Sequence, residues 1–233
     1  MYPTAWRMLH SQHMPKATRR FPQPALPSSP QCLKAHSILC KAADAAESFH
    51  VVFREQRGQG PGTSSDAQQD VLRAMLVFAC AGLDSALKQL VRDALEAVIS
   101  RSPRAQQFFQ QSVKRKIPDL ERSQDLLASV LTAVDPRGYL LRETINDLLR
   151  NSLQSVAEFS KIAAALDVET KTLVHGLREA FDARNQIIHE MDINFGTNRS
   201  RRPRRRDDME RMTEHVLNAA AGLLDHVDKK LAG

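Results

Sequence analysis

Apolar residues recur at intervals of three and four along most of the chain after its first 32 residues, which is the spacing of one face of a helix. The clearest stretches run over Leu33–Arg57, from Ala67 to about Ser100, and over Ser155–Leu166. Ser65 or Asp66 stands where an N-cap residue would begin the second of them. No alternation typical of strands and no internal repeat of 20–50 residues is visible. The pattern predicts an all-α fold.

The middle of the chain predicts shorter helices. Ser102-Pro103 marks the start of one helix, which ends before Ile117-Pro118. Two more are expected over Gln124–Ala133 and Gly138–Asn151, with a turn at residues 135–138 between them because Asp, Pro and Gly favour turns.

Two helices are expected in the last third of the chain. The first spans about residues 171–193, with a cap among residues 167–170, and is stopped by Asn194-Phe195-Gly196. An arginine-rich loop over residues 197–206 follows, and the last helix covers about residues 207–231. Together they complete a helical domain over residues 33–233.

The N-terminal segment has a different composition. Residues 1–32 are rich in Pro and Ser and are predicted to be disordered, since four prolines between Pro22 and Pro30 leave no regular element. Residues 1–43 contain six Lys and Arg but no acidic residue, as in a transit peptide, although the prolines oppose an amphipathic presequence helix. A later translation start, at Met8 or Met14, is the preferred interpretation.

Charge and cysteine content narrow the class of protein. The formal net charge is +6, and 42% of the residues are hydrophobic, which suffices for a core. The three cysteines form no CxxC pair, so neither a disulfide framework nor a structural zinc site is expected. No run approaches the ~20 apolar residues of a membrane helix. We expect a cytoplasmic protein in a reducing setting, without a membrane segment.

An arginine interrupts the apolar stripe of the helix expected over residues 171–193. Leu177 and Phe181 begin the stripe and Ile188 continues it, while Arg184 falls on it between them. A guanidinium among core-facing positions costs several kcal/mol unless it is paired, reaches water or meets an anion. This position therefore indicates a special role for Arg184.

Two further polar residues share this part of the helix. Asn185 and His189 are four residues apart and so lie on one face, which Arg184 flanks. Arginine binds phosphate oxygens with two parallel hydrogen bonds, and histidine exchanges protons near neutral pH. The three side chains predict chemistry on a phosphate, with Arg184 stabilising charge, His189 as general acid or base, and Asn185 orienting its neighbours.

A dense block of arginines follows this helix. It predicts phosphate contacts from a flexible loop that would hold an RNA strand without reading its bases. The alternative is a solvated loop with no ligand. The block consists of Arg199, Arg201, Arg202, Arg204, Arg205 and Arg206.

The sequence Arg184-Asn185 through His189 resembles the Rx4-6H signature of HEPN domains, most closely of the RiboL-PSP type. Residues 76–88 resemble the long early helix of that family, with Asp84 where an acidic residue often stands and supports the site. The resemblance covers about residues 66–231. It implies an all-helical bundle.

The resemblance also implies an activity. In such ribonucleases the ribose 2′-hydroxyl attacks the adjacent phosphate, which leaves a 2′,3′-cyclic phosphate and a 5′-hydroxyl, without a metal or cofactor. One motif supplies one good acid or base, so a homodimer with Arg184 and His189 at its interface is expected. RNA is the expected ligand, and a toxin or defence role with an antitoxin-like protein partner is a further expectation.

Other interpretations of these residues stay open. In one alternative, His189 belongs to a buried hydrogen-bond network and Arg184 pairs with Asp84 or another acid. The protein would then be a catalytically silent helical module that binds nucleic acid, a nucleotide or a protein. A third alternative is a nucleic-acid-binding adaptor that works through its arginine block.

Overall fold

A computed structural model describes residues 19–57, 64–117, 124–196 and 199–233. These ranges contain eight α-helices and no strand, so the prediction of an all-α fold is confirmed. The helices are α1 (Leu33–Arg57), α2 (Asp66–Arg101), α3 (Pro103–Lys116), α4 (Gln124–Thr132), α5 (Val134–Leu149), α6 (Val156–Ala165), α7 (Leu177–Glu190) and α8 (Arg206–Ala232).

Helix α2 is the centre of the fold. It packs most extensively along α1 and α8, and it also contacts α3, α5, α6 and α7. Residues such as Leu76, Leu83, Leu90 and Val98 are fully buried along its length. Because nearly every other element rests on α2, this helix sets the position of the side chains on α7.

The length and composition of α2 would also suit a membrane span. More than half of the most apolar 18-residue stretch within Asp66–Arg101 is buried inside the bundle. A core helix of a folded domain gives the same signal, so this is weak grounds for a membrane segment.

Helices α1 and α2 approach closely at Gly82. A Cβ added at Gly82 would lie 2.2 Å from the Cβ of Ala42, so Gly82→Ala must force the helices apart. We expect this substitution to lower the free energy of unfolding by about 1–3 kcal/mol, measured by urea denaturation. Gly138→Ala is the matched control, because a Cβ there meets nothing within 4 Å. Equal stability of both variants would contradict the close approach.

The stretch over residues 19–32 packs against the bundle. Phe21 is fully buried, and its N–H donates to the Glu47 carboxylate at 2.9 Å. The Arg20 guanidinium donates to Glu214 at 2.8 Å, and the stretch ends in a short 3-10 helix, Pro30–Cys32. The prediction of disorder is therefore wrong for residues 19–32, because prolines permit extended packing when an aromatic ring and a backbone amide find partners. Residues 1–18 lie outside the described part of the chain.

Most helix boundaries follow the sequence signals. Ser65 and Ser155 each cap a helix through a reciprocal pair of hydrogen bonds with the residue three positions on. The turn expected over residues 135–138 is wrong, because those residues belong to the first turn of α5. A proline there is tolerated, since the N–H it lacks has no partner in a first helical turn.

Helix α7 is shorter than the expected span over residues 171–193. Gly176 precedes it with a φ of 74°, and a Cβ there would lie 2.4 Å from the ring of His215. At the other end, Met191 and Asp192 both have positive φ values and stop the helix at Glu190. The cap expected within residues 167–170 is therefore wrong.

Candidate functional site

The apolar stripe of α7 leaves the core at Arg184. Leu177 and Phe181 are fully buried against the bundle, and Arg184 is half-buried. One turn further on, Ile188 is 41% exposed, and Met191 just after the helix is 66% exposed. Arg184 therefore lies at the boundary between core and surface, where its guanidinium can reach solvent or a ligand.

No carboxylate pairs with Arg184 in the described part of the chain. Its guanidinium donates to the Asn185 side-chain oxygen at 2.9 Å, so the expected alternative of an Arg184–Asp84 pair does not occur. Arg184 lies near Cys80 of α2: burial raises the pKa of the Cys80 thiol to about 12, and the positive charge of Arg184 acts against that rise. Because no described carboxylate pairs with Arg184, its charge is available to an anion.

Asn185 and Asp84 each form a hydrogen bond with the backbone of the segment that connects α5 to α6. The Asn185 amide donates to the Gln154 carbonyl at 3.2 Å, and the Leu153 N–H donates to the Asp84 carboxylate at 2.9 Å. Asp84 also accepts from Lys88 at 2.9 Å. Asp84 therefore fixes the connection between α5 and α6 beside the motif, with no hydrogen bond to Arg184 or His189.

His189 is exposed on the last turn of α7. Its imidazole has no hydrogen-bond partner within the ranges that the structure describes, so the buried network considered as an alternative is absent there. Asn185 precedes it by one turn on the same face. An exposed, unpartnered imidazole on the same helix as an unpaired guanidinium can exchange a proton with the hydroxyl or the leaving oxygen of a bound phosphate ester.

Asp192, which sequence reasoning missed, organises the end of α7. Its carboxylate is fully buried and accepts from Arg73 of α2 at 2.7 Å and from Arg204 at 3.0 and 2.5 Å. Burial opposes ionisation, but the hydrogen bonds from Arg204 and Arg73 outweigh it and hold the pKa of Asp192 below its ordinary value. We call these three residues the Asp192 clasp.

Most of the arginine block is engaged within the molecule. Arg201 pairs with Asp70 at 2.6 Å, Arg202 with Glu190 at 2.9 Å, and Arg206 with Glu210. Arg204 belongs to the Asp192 clasp. Arg199 and Arg205 make no ion pair with any described residue.

The alternative of a merely solvated loop is wrong for Arg201, Arg202, Arg204 and Arg206, while the expected phosphate contacts of the block stay a prediction. Thr197 and Asn198 lie outside the described ranges. Carboxylates on α2, α7 and α8 take up the charges, and the Arg202 N–H donates to the Asp192 carbonyl at 2.7 Å. A signal was present in the sequence, since Glu190 and Asp192 closely precede the block.

The fold and this surface define an all-helical protein that presents an Arg–Asn–His group on one helix. Within the described ranges, no cluster of three or more His, Cys, Asp or Glu side chains is arranged to hold a metal ion. No family model, no curated protein and no solved structure matches the chain.

Proposed function

We propose that this protein is a HEPN-type endoribonuclease that cleaves RNA without a metal ion or cofactor. The observation that carries the proposal is the place of Arg184, where the apolar stripe of α7 reaches the surface. There its charge has no carboxylate partner among the described residues, and His189 stands exposed a little over one turn further along the helix.

The three side chains suit transesterification at phosphorus. His189 takes a proton from the attacking 2′-hydroxyl or gives one to the departing 5′-oxygen. Arg184 binds the non-bridging phosphate oxygens and stabilises the negative charge that grows on them in the transition state. Asn185 orients the guanidinium through the 2.9 Å hydrogen bond between them.

A second copy of the chain would complete the site. Ile188, Met191 and Phe195 are 41%, 66% and 69% exposed, so apolar surface accompanies the motif. Exposed apolar side chains around a polar centre are typical of an interface. A homodimer through this face would bring two histidines into one cleft, so that one acts as base and the other as acid.

The rival function is a silent binding module. It is favoured by the two hydrogen bonds that engage Asn185, one from Arg184 and one to the Gln154 carbonyl. A site locked in this way would hold a phosphate without turning it over. In either case, an antitoxin-like protein that covers this face would inhibit the protein.

The deciding experiment is RNA cleavage in the presence of EDTA, with the product ends mapped. We expect 2′,3′-cyclic phosphate and 5′-hydroxyl ends, and no cleavage of the same sequence made with 2′-deoxyribose, because the nucleophile is then missing. RNA that stays intact at high concentrations of folded dimer would favour the binding module. Cleavage of the deoxy substrate, or loss of cleavage on chelation, would refute the mechanism.

A further inference from the structure

A basic cavity of about 400 Å³ lies among α3, α5 and α6, away from α7. Its volume is within the range of small-ligand pockets. None of the residues named for the motif or the arginine block lines it. The lining residues that matter here are Arg115, Lys116, Thr144, Asp147, Asn151 and Lys161.

Positive charge is in excess in this cavity. Lys116 pairs with Asp147 at 2.8 Å and with Glu143 at 3.3 Å, and Arg150 shares Asp147. Arg115 donates only to the Ser112 hydroxyl at 3.2 Å, and Lys161 has no ion pair with any described residue. Four cationic side chains therefore stand against two carboxylates, and the two cations without an ion pair, Arg115 and Lys161, are exposed.

Thr144 supplies a second, independent sign of a ligand. It lines the cavity, it is 2% exposed, and its hydroxyl has no hydrogen-bond partner in the described part of the chain. A buried hydroxyl without a partner is destabilising, because it has given up its hydrogen bonds to water. In the structure this hydroxyl is closed off from solvent, so an oxygen-rich anion in the cavity meets it only after the Thr144 side chain rotates. The anion would then give the hydroxyl an acceptor and neutralise Arg115 and Lys161.

The cavity is close to the motif. Asn151 lines it and stands only three residues before Gln154, whose carbonyl accepts from Asn185. Three residues span at most about 11 Å. One short stretch of backbone therefore joins the cavity to the motif, so one RNA strand can reach both.

The arginine block is less suited to this role. A cavity of about 440 Å³ beside it is lined by seven arginines, but Asp66 and Asp207 also line it. Four further carboxylates, those of Asp70, Glu190, Asp192 and Glu210, pair with its arginines. Seven cations against six carboxylates leave an excess of one, compared with two in the cavity at α3, α5 and α6.

We propose that the cavity lined by Arg115, Thr144 and Lys161 binds a backbone phosphate of the RNA strand, next to the phosphate held by Arg184. The proposal rests on the proposed function, since it places a second phosphate subsite on the same strand. Under this proposal, side chains of α3, α5 and α6 hold the RNA strand, and the arginine block does not.

The first test measures binding of a single-stranded RNA whose 2′-hydroxyls are methylated, so that cleavage cannot interfere. The double variant Arg115→Ala/Lys161→Ala is compared with Arg199→Ala/Arg205→Ala, which removes two arginines of the block that have no ion pair with any described residue. We expect about tenfold weaker binding at low salt for the first variant only. The slope of log affinity against log salt should become shallower by about 0.7 for each RNA phosphate that the variant no longer neutralises.

The second test uses Thr144→Val, which keeps the shape of the side chain and removes its hydroxyl. Thr213→Val is the matched control, because Thr213 on α8 is the other described residue with a buried, unpartnered hydroxyl. We expect both variants to unfold at higher urea concentration than the wild type, and only Thr144→Val to bind RNA more weakly.

The outcomes separate this proposal from the proposed ribonuclease activity. Weaker binding by the cavity variants supports the subsite even if no RNA is cleaved. Unchanged affinity and salt slope in Arg115→Ala/Lys161→Ala overturn it, as does a loss confined to the arginine-block variant. A nucleoside monophosphate that binds more tightly than the RNA would assign the cavity to a free nucleotide, which also overturns it.

Discussion

Replacing His189 by alanine is expected to lower the rate of RNA cleavage by about 10²–10⁴-fold, the usual contribution of one general acid or base. The imidazole is exposed and has no hydrogen-bond partner in the described structure, so its removal should leave the fold intact. The measurement is single-turnover cleavage of a defined RNA in EDTA, together with a urea unfolding curve of each protein.

His226→Ala is the matched control for this variant. His226 is also exposed, but it lies on α8, where its imidazole contacts the Gly222 carbonyl at 2.6 Å. It should keep wild-type activity. Full activity of His189→Ala, or an equal loss in both variants, would show that His189 is not the acid or base.

Replacing Asp192 by alanine is expected to lower the free energy of unfolding by about 3–5 kcal/mol, because it leaves a buried charge without its partner. Without Asp192, Arg204 has no carboxylate partner, and Arg73, which is 4% exposed, keeps only Asp70 at 3.1 Å. The loss is a large part of the roughly 5–15 kcal/mol that holds a typical domain together. Urea unfolding at neutral pH measures it.

Asp182→Ala is the control for the Asp192 clasp, because Asp182 is exposed on the same helix and makes no ion pair in the described chain. The pH dependence adds a second readout. A carboxyl whose pKa is lowered by folding stabilises the protein above its unfolded pKa, about 3.9, and this stabilisation fades as the pH falls through the folded pKa. The acid-induced loss should be smaller in Asp192→Ala. Stability equal to that of Asp182→Ala would refute the clasp.

The helices were accessible from sequence because their signals are local. Apolar spacing predicted α1 and α2, and Ser65 and Ser155 begin helices as their hydrogen-bonding capacity requires. The ends of α7 were missed. Gly176 takes a positive φ beside the His215 ring, and that contact depends on where α8 lies in space.

In the candidate site, too, the sequence predicted the residues that lie close together in the chain and missed the contacts between distant ones. Arg184, Asn185 and His189 were recognised from their spacing on one helix, and the role assigned to them stays a prediction. The pairing of the arginine block was missed, because Asp70 lies 131 residues before Arg201 in sequence and meets it only in the folded chain. Composition showed the charge of the block but could not show what neutralises it.

The packing of residues 19–32 was missed for a related reason. Proline content argues against helices and strands, but it does not argue against an extended segment that lies on a helical surface. The Phe21 ring packs against His50, Glu47 of α1 accepts from the Phe21 N–H, and α8 supplies the acidic partners of Arg20. These partners are distant in sequence.

The buried carboxylate of Asp192 joins positions that the chain keeps far apart. Arg73 precedes it by 119 residues and Arg204 follows it by 12. Loss of either arginine leaves Asp192 paired with the other one, whereas loss of Asp192 takes the shared carboxylate from both arginines. The three positions are therefore unequally replaceable: a neutral side chain is tolerated more readily at Arg73 or Arg204 than at Asp192.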